Sequence, residues 1–326
     1  MRYRKLGRTG LEVSEVGIGT WGIGGLAWGE RDDERSKQAL HHALDLGVNF
    51  IDTAYGYGEG RSEELIGEVL VGRADVTPIV ATKVPLETRV WPATDDMAVE
   101  DCYSPGWIRS CTEESLRRLG TDHIDLQQFH FWADSWTDQG QWAEAVSALK
   151  NEGKVRFFGV STNDHEPDSV LRLLESGLVD TVQVIYNLFD QSAHERLLPR
   201  CEELDIGVIA RSPFDEGGLT GALRSDTVFA AGDWRRGYFK GGRLAETVAR
   251  AGAVAETLAG HAASLAEGAL RFCLSHNAVS TVIPGMRSPA HVDQNCAVSD
   301  GRLLASEVVE KLRDHSWPRN FYADAW

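Results

Sequence analysis

The feature that most constrains the fold is a regular alternation of strand-like and helix-like segments along the chain. Strands are predicted at Val16–Thr20, Asn49–Thr53, Ile79–Lys83, His123–His130, Phe157–Ser161, Thr181–Tyr186, Gly207–Arg211 and Val279–Ile283. Helices are predicted between them at Asp33–Leu46, Ser62–Val71, Pro105–Leu119, Gln139–Asn151, Pro167–Ser176, Ala193–Leu204 and Leu265–His276. Strands that are each reached through a helical crossover pair in parallel. The pattern therefore predicts an α/β protein, a (β/α)8 TIM barrel.

An open, doubly wound parallel sheet is the alternative fold. Its dinucleotide fingerprint would need a third glycine and a helix directly after the first strand. The run from Gly17 to Gly22 lacks that glycine at its place, and no helix is expected to follow it directly. The barrel is favoured, as one domain spanning residues 1–326.

Four segments extend beyond a minimal barrel. Residues 2–19 read as an N-terminal β-hairpin turning at Gly7 to Gly10. A Gly- and aromatic-rich loop runs from Ser212 to about Arg243, and loops of this length in compact domains are usually functional. After an added helix at Leu244–Ala259, an amphipathic segment at Leu303–Arg313 leads into an aromatic tail at residues 317–326. The tail either caps a binding mouth or docks on the surface.

Charge and cysteine content narrow the classes of partner. The chain has 33 basic and 49 acidic residues, a net charge of −16, which disfavours nucleic acid and anionic membranes. Five dispersed cysteines without a CxxC pair indicate reduced thiols, and no Cys or His spacing suggests a metal site. Without a signal-like or membrane-length apolar run, a cytoplasmic protein acting on a small molecule is expected.

Polar residues recur at the carboxyl ends of the predicted strands. Asp52 and Tyr57 follow the second strand, Lys83 ends the third and His130 ends the fourth; Ser161, Asn163, Gln183 and Asn187 follow later strands. In a barrel these ends share one face, where barrel enzymes carry their chemistry. Each residue also has an ordinary structural explanation, as a helix cap, a solvated charge or a core histidine. Ser62 is expected to be the N-cap of the next helix.

The four residue types complement one another chemically. A phenol with a pKa of about 10 is a weak acid at neutral pH, and a neighbouring ammonium lowers that pKa. A buried ammonium in turn needs a carboxylate. Tyr57, Lys83 and Asp52 supply these parts, and His130 can orient a substrate oxygen. This set suits protonation of a carbonyl oxygen, or its reverse, with hydride supplied by a cofactor.

Seven stretches carry a family resemblance: Arg4–Leu11, Asp52–Gly58, Ala81–Lys83, Ser115–Leu126, Gly153–Ser161, Val182–Asn187 and Ile283–Gly285. In this order they resemble the aldo-keto reductases, NAD(P)-dependent (β/α)8-barrel oxidoreductases, over essentially the whole chain. The resemblance implies that Tyr57 is the general acid/base, that Lys83 and Asp52 tune it and that His130 orients the substrate.

The resemblance also implies a cofactor site, in which the loop after the seventh strand covers the cofactor. Its residues would be Thr20, Trp21, Ser161, Asn163, Gln183, Arg211, Ser212, Pro213, Phe214, Gly217, Leu219, Gly221, Ile283, Gly285, Arg287, His291, Gln294 and Asn295. Many members have consecutive Ser-Asn where this chain reads Ser161-Thr162-Asn163, so Thr162 or Asn163 contacts the nicotinamide amide. Arg211 replaces an aromatic residue that stacks on nicotinamide, and a plain salt bridge is its alternative.

The expected activity is reversible reduction of an aldehyde or ketone, sugar-like or aromatic, with the proton passing through Tyr57. NADP(H) is favoured over NAD(H) because Arg287 can contact the 2′-phosphate. The expected substrate mouth comprises Trp21, Tyr55, Trp91, Trp132 and parts of the tail. Alternatives are an NAD(P)-dependent sugar dehydrogenase working oxidatively and a slow-turnover, cofactor-sensing regulatory barrel.

Overall fold

A closed ring of parallel strands forms the centre of the protein, in a computed structural model that describes residues 1–25, 27–29, 31–73 and 75–325. The strands are β1 (Tyr3–Lys5), β2 (Glu12–Ser14), β3 (Ile18–Gly19), β4 (Phe50–Asp52), β5 (Ile79–Val84), β6 (Ile124–Phe129), β7 (Val155–Ser161), β8 (Thr181–Ile185), β9 (Gly207–Arg211) and β10 (Val279–Val282). Strands β3 to β10 pair in parallel in chain order. Parallel bridges from Val16 to Val282 and from Gly19 to Gly285 join the first barrel strand to the last. The predicted (β/α)8 barrel is confirmed.

Helices surround the strands. They are α1 (Trp21–Gly24), α2 (Asp33–Asp45), α3 (Arg61–Val71), α4 (Val99–Cys102), α5 (Pro105–Leu119), α6 (Trp142–Asn151), α7 (Leu171–Glu175), α8 (Leu197–Glu203), α9 (Arg235–Tyr238), α10 (Arg243–Thr257), α11 (Leu265–Leu274), α12 (Pro289–Cys296) and α13 (Ser306–Arg313). Short 3-10 turns add Tyr57–Gly60, Asp134–Asp138, Pro167–Val170, Ser192–His194, Asp215–Gly217 and Tyr322–Asp324. Among the described residues, no helix is both long and apolar enough to cross a membrane.

Successive residues of a strand point to opposite sides of the barrel wall. One set packs against the helices, and the other set points into the barrel interior, where the site lies. In β5, Val80 packs in the core between strands and helices, and Thr82 bonds to α3, whereas Ala81 lies with side chains of the barrel interior. Lys83, two residues after Ala81, therefore points inward as well. This alternation brings one charged residue into the barrel near the carboxyl end of an otherwise uncharged strand.

The N-terminal hairpin closes the opposite end of the barrel. β1 and β2 pair antiparallel, and Leu6 and Val13 are fully buried in a cluster with Phe50 and Ile209 from the barrel strands. The turn after β1 also bonds to the chain before β9, because Arg8 N–H donates to the Asp205 carbonyl over 2.6 Å. The predicted hairpin is present, and its apolar residues fill the amino-terminal end of the barrel.

Two local expectations are wrong. Ser62 is not the N-cap of α3, because Gly60, at φ 98°, occupies that position and the helix begins at Arg61. The Ser62 hydroxyl instead donates to Thr20 Oγ1 over 2.7 Å, which ties α3 to the end of β3. The short helix α1 also follows β3 directly, where none was expected.

The packing of β7 on β8 yields a stability prediction. A Cβ added at Gly159 would lie 2.1 Å from Thr181 Oγ1 and 2.8 Å from the Thr181 carbonyl oxygen. Gly159→Ala should therefore lower the free energy of unfolding by about 1–3 kcal/mol in urea titration. The control Gly252→Ala, in α10 with no atom within 4 Å, should raise it by up to about 1 kcal/mol. Equal effects of the two substitutions would contradict this packing.

Candidate active site

A cavity of about 750 Å³ opens at the carboxyl ends of the barrel strands. Its wall combines strand ends, the loop after β9, the start of α12 and the C-terminal tail. The lining residues are Gly19, Thr20, Trp21, Gly22, Trp28, Asp52, Gly56, Tyr57, Pro85, Trp91, His130, Phe131, Ser161, Asp164, Gln183, Arg211, Ser212, Pro213, Phe214, Glu216, Gly217, Thr220, Arg235, Ile283, Gly285, Arg287, His291 and Tyr322. This size and this mixed lining are typical of sites that enclose an organic ligand.

The four residues singled out for proton transfer, called here the tetrad (Asp52, Tyr57, Lys83 and His130), come together at the floor of this cavity. The Lys83 ammonium donates to Asp52 Oδ1 over 2.6 Å and to the Thr53 carbonyl over 2.8 Å. Its third contact is the Tyr57 hydroxyl, 3.5 Å away. The His130 ring stands edge-on to the Tyr57 ring with 5.8 Å between centroids. A phenol thus lies beside a fixed, charge-compensated ammonium.

A glutamine completes the surroundings of the carboxylate. Gln183 Nε2 donates to Asp52 Oδ2 over 2.7 Å, and its distance to Gln128 Oε1 is 3.4 Å. Both oxygens of Asp52 therefore have partners although the residue is only 2% exposed. A buried ion pair is tolerated when its remaining hydrogen-bonding atoms are satisfied. Gln183 has this structural role in addition to lining the cavity.

Burial governs the protonation of the phenol and the imidazole. It raises the pKa of Tyr57, while the Lys83 ammonium acts in the opposite direction. The expected lowering by Lys83 is thus present but outweighed, because the hydroxyl lies where its anion is poorly solvated. Burial, Lys83 and Arg211 together hold the pKa of His130 well below its ordinary value. At neutral pH the site accordingly presents a protonated phenol and a neutral imidazole.

A strained turn holds Tyr57 in place. Gly58 and Glu59 both have positive φ, and Tyr57 N–H donates to the Ala54 carbonyl over 3.1 Å. A Cβ added at Gly58 would lie 2.3 Å from the Gly24 carbonyl oxygen, so α1 packs directly against this turn. The Trp21 ring, also on α1, is stacked on Tyr57 with 6.3 Å between centroids.

Most residues expected to hold a cofactor line the cavity. These are Thr20, Trp21, Ser161, Gln183, Arg211, Ser212, Pro213, Phe214, Gly217, Ile283, Gly285, Arg287 and His291. Leu219, Gly221, Gln294 and Asn295 do not: Leu219 is buried in the core, Gly221 is exposed, and the other two lie one turn further along α12.

Asn163 is likewise outside the cavity wall. Its side chain accepts from Ala93 N–H over 3.2 Å and donates to the Ala93 carbonyl over 2.7 Å, which braces the loop after Trp91. Thr162, the other candidate, has a buried hydroxyl without a partner among the described residues. The extra residue between Ser161 and Asn163 therefore turns the asparagine away from the site.

Arg211 forms a salt bridge, which was the alternative to its stacking on nicotinamide. Its Nη2 lies 2.6 Å from Asp164 Oδ1 and donates to the Thr162 carbonyl over 3.2 Å, and both residues of the pair line the cavity. The buried Arg211 Nε has no partner among the described residues. A flat guanidinium fixed from one side can still present a surface to a ligand.

Two of the four residues expected to line the substrate mouth do not line the cavity. Trp21 and Trp91 line the cavity, whereas Trp132 is fully buried in the helix-facing core, 5.1 Å from the Trp142 ring. It follows Phe131, which does line the cavity, so the chain turns between them. Tyr55 packs against Trp107 on α5, outside the barrel, with 6.0 Å between ring centroids.

Six further wall residues were not expected from the sequence: Trp28, Phe131, Asp164, Glu216, Thr220 and Arg235. Tyr322 also lines the cavity, as expected for parts of the tail. Tyr322 belongs to the aromatic tail, which therefore does border the cavity; Trp326, its last residue, lies outside the described residues. The Tyr322 hydroxyl donates to Glu216, and Arg319 pairs with Asp215 over 2.6 Å. These contacts hold the tail against the loop after β9.

One end of the cavity is basic. Arg287 and Arg235 both line it. Burial and the charges of Arg235 and Arg35 lower the pKa of Arg287, against the opposing effect of Asp233. The helix α12 starts here, with Ser288 as its N-cap, accepting from His291 N–H over 3.3 Å. Cations beside a helix N-terminus favour an anionic ligand group.

Both the sequence and the fold match known proteins. The model of the Aldo/keto reductase family matches residues 15–316.

The chain belongs to the aldo/keto reductase family.

An aldo-keto reductase of Bacillus subtilis (strain 168), YhdN, is 34% identical over 72% of this chain and 69% of its own. The NADH-specific methylglyoxal reductase of Escherichia coli (strain K12) is 28% identical over 96% of this chain and 99% of its own. Among solved structures, the glycerol dehydrogenase AKR11B4 from Gluconobacter oxydans superposes with a TM-score of 0.78 at 30% identity, covering 96% of this chain and 94% of its own. The chain is therefore similar to reductases and to a dehydrogenase built on the same barrel.

Glu216, in the cavity wall, should make the stability of this aldo/keto reductase depend on pH. Burial raises the pKa of Glu216 to about 7 from 4.5. The folded protein therefore retains a proton that the unfolded chain loses, so the stability due to this carboxyl is full below about pH 4.5 and is lost as the pH rises towards 7. The free energy of unfolding of Glu216→Gln, measured in urea relative to the wild type, should therefore increase by up to about 3 kcal/mol between pH 5 and pH 8.

The exposed Glu195→Gln is the matched control and should show no such pH dependence. If the difference in unfolding free energy between Glu216→Gln and the wild type stays constant from pH 5 to pH 8, the pKa of Glu216 is not raised.

Proposed function

We propose that this barrel, acting as one domain, reversibly reduces a small aldehyde or ketone with NADP(H), and that the tetrad carries the proton transfer. The observation that carries the proposal is the Tyr57 hydroxyl, which lines the cavity 3.5 Å from a buried lysine that is paired with a buried aspartate. The family supports carbonyl reduction in general, and this geometry supports a working proton donor.

The residues of the cavity fit a nicotinamide dinucleotide. The lining extends from Ser161 and Gln183, next to the tetrad, to Arg287 at the basic end. Gly217, at φ 103°, and the exposed Gly285 leave backbone accessible where a diphosphate would pass. The buried Arg211 Nε–H, which has no partner within the described part of the chain, supports a polar ligand in this region. We infer that Arg287 contacts the 2′-phosphate, which favours NADP(H) over NAD(H).

A bound nicotinamide would supply the hydride to the carbonyl carbon. Tyr57 gives its proton to the carbonyl oxygen, since burial keeps the phenol protonated at neutral pH. Lys83 stabilises the phenolate that remains, and Asp52 holds the ammonium in position. His130, kept neutral by its surroundings, can donate one hydrogen bond to the same carbonyl oxygen. Oxidation of an alcohol reverses these proton movements.

The substrate class follows from the wall around the tetrad. Trp21, Trp28, Trp91, Phe131 and Tyr322 supply apolar faces, and Asp164 and Glu216 supply polar atoms. Such a wall suits a small carbonyl compound that carries hydroxyl groups or an aromatic ring. Two of the named relatives are a methylglyoxal reductase and a glycerol dehydrogenase, and both substrates are small polar compounds. A screen in both directions with both cofactors should therefore include methylglyoxal, glycerol, aldoses and 4-nitrobenzaldehyde.

Tyr57→Phe tests the proton donor. Removing the hydroxyl should lower kcat by at least about 100-fold, because a general acid contributes about this much or more. NADPH affinity, measured by fluorescence titration, should be unchanged because Tyr57 lies at the reacting end of the cavity. Near-normal turnover in this variant would eliminate Tyr57 as the acid. Tight NADPH binding without turnover of any substrate by the wild type would instead favour a cofactor-sensing protein.

Arg287→Ala tests the cofactor assignment. Loss of one charge-assisted phosphate contact should weaken NADPH binding by about 10-fold or more and leave NADH binding nearly unchanged. The exposed Arg236→Ala is the matched control and should alter neither affinity. Equal losses for NADPH and NADH would show that Arg287 does not read the 2′-phosphate.

A further inference from the structure

A buried ion pair lies behind the turn that carries Tyr57, on the helix side of the barrel. Glu63, in the first turn of α3, is fully buried, and Arg118, in the last turn of α5, has a side chain that is 12% exposed. Glu63 Oε2 and Arg118 Nη1 are 3.2 Å apart. Neither residue lines the cavity. The mechanism above uses neither of them.

Arg118 contacts the turn at three points. Its Nη1 donates to the Tyr55 carbonyl over 3.0 Å, and its guanidinium lies 4.5 Å from the centre of the Tyr55 ring. A Cβ added at Gly60 would lie 2.3 Å from Arg118 Cζ, so the guanidinium occupies the space where any other residue would place its side chain. Arg118 therefore supports residues 55–60 from behind, opposite the contact between Gly24 and Gly58.

Glu63 connects the same pair to the strand that carries the lysine. Thr82 Oγ1 donates to Glu63 Oε1 over 2.6 Å, and Thr82 immediately precedes Lys83 in β5. Tyr55 N–H also donates to the Lys83 carbonyl over 3.1 Å. Hydrogen bonds thus run from Thr82, which is covalently joined to Lys83, through Glu63 and Arg118 to the turn of Tyr57.

We propose that Arg118 and Glu63 are positioning residues that set the distance between the Tyr57 hydroxyl and the Lys83 ammonium, and thereby the rate of proton transfer. The proposal rests on the proposed role of Tyr57 as proton donor. A loose turn would let the hydroxyl move away from Lys83, and a misplacement of about 1 Å can cost roughly 100-fold in rate. The 3.5 Å contact is long enough that small movements of the turn would break it.

Stability alone is the competing explanation. Breaking a buried ion pair on one side leaves an uncompensated charge, which typically costs about 3–5 kcal/mol. Replacing both partners by uncharged residues removes most of that penalty. The double substitution Arg118→Met with Glu63→Gln therefore separates the two explanations, because it removes both buried charges together with the support of the turn. Glu114, the partly exposed second partner of Arg118, keeps its ion pair with Arg117.

The experiment compares this double variant with Arg118→Met alone, Arg118→Lys and Arg117→Met. Arg117 is the matched control, since it is adjacent on α5 but 67% exposed. The double variant should unfold at nearly the same midpoint concentration of urea as the wild type. Its kcat should fall about 10- to 100-fold, and its KM should change less than about twofold. Arg118→Lys should recover part of kcat, and Arg117→Met should match the wild type. A folded double variant with wild-type kcat would overturn the proposal.

A second readout does not depend on turnover. Lys83 lowers the pKa of Tyr57, so a larger separation should raise that pKa further. Carbon-13 labelling of tyrosine, with Tyr57→Phe to assign the signal, reports this titration by NMR. An upward shift in the double variant but not in Arg117→Met supports the positioning role even if the wild type reduces no carbonyl compound. An unshifted titration overturns it.

Discussion

The ion pair between Lys83 and Asp52 is the interaction on which the site depends. The two residues lie on neighbouring parallel strands and point into the barrel, where neither charge could remain without the other. Gln183, from a strand on the far side of the barrel, satisfies the second carboxylate oxygen. The pair is therefore fixed by strand register, and the phenol is placed against a charge that cannot move away.

Residues on strands could be predicted from the sequence, because a barrel brings all strand ends to one face. Asp52, Lys83 and Gln183 came together for that reason. Residues beyond the strand ends were less predictable, since their direction depends on the turn. Asn163 and Trp132 follow strands by two or three residues, and both point away from the cavity. Periodicity no longer constrains a side chain once the chain has left the sheet.

The sequence led us to expect the tail at the mouth of the site, but not the contacts that hold it there. Tyr322 reaches the cavity because the tail is held by the loop after β9, through Glu216 and through the pair of Arg319 with Asp215. No spacing within either segment indicates this partnership. Glu216 also has positive φ, which acidic residues adopt less readily than glycine, so its position could not be inferred from residue type.

The attachment of the tail has a consequence for how this protein can diversify. Tyr322 forms part of the wall, yet its polar partner Glu216 lies on a loop, and the tetrad belongs to β4, β5 and the chain segments after β4 and β6. A change in the tail and its matching loop can thus reshape the mouth without altering the reaction centre. This part of the cavity wall and the tetrad therefore lie on separate segments of the chain.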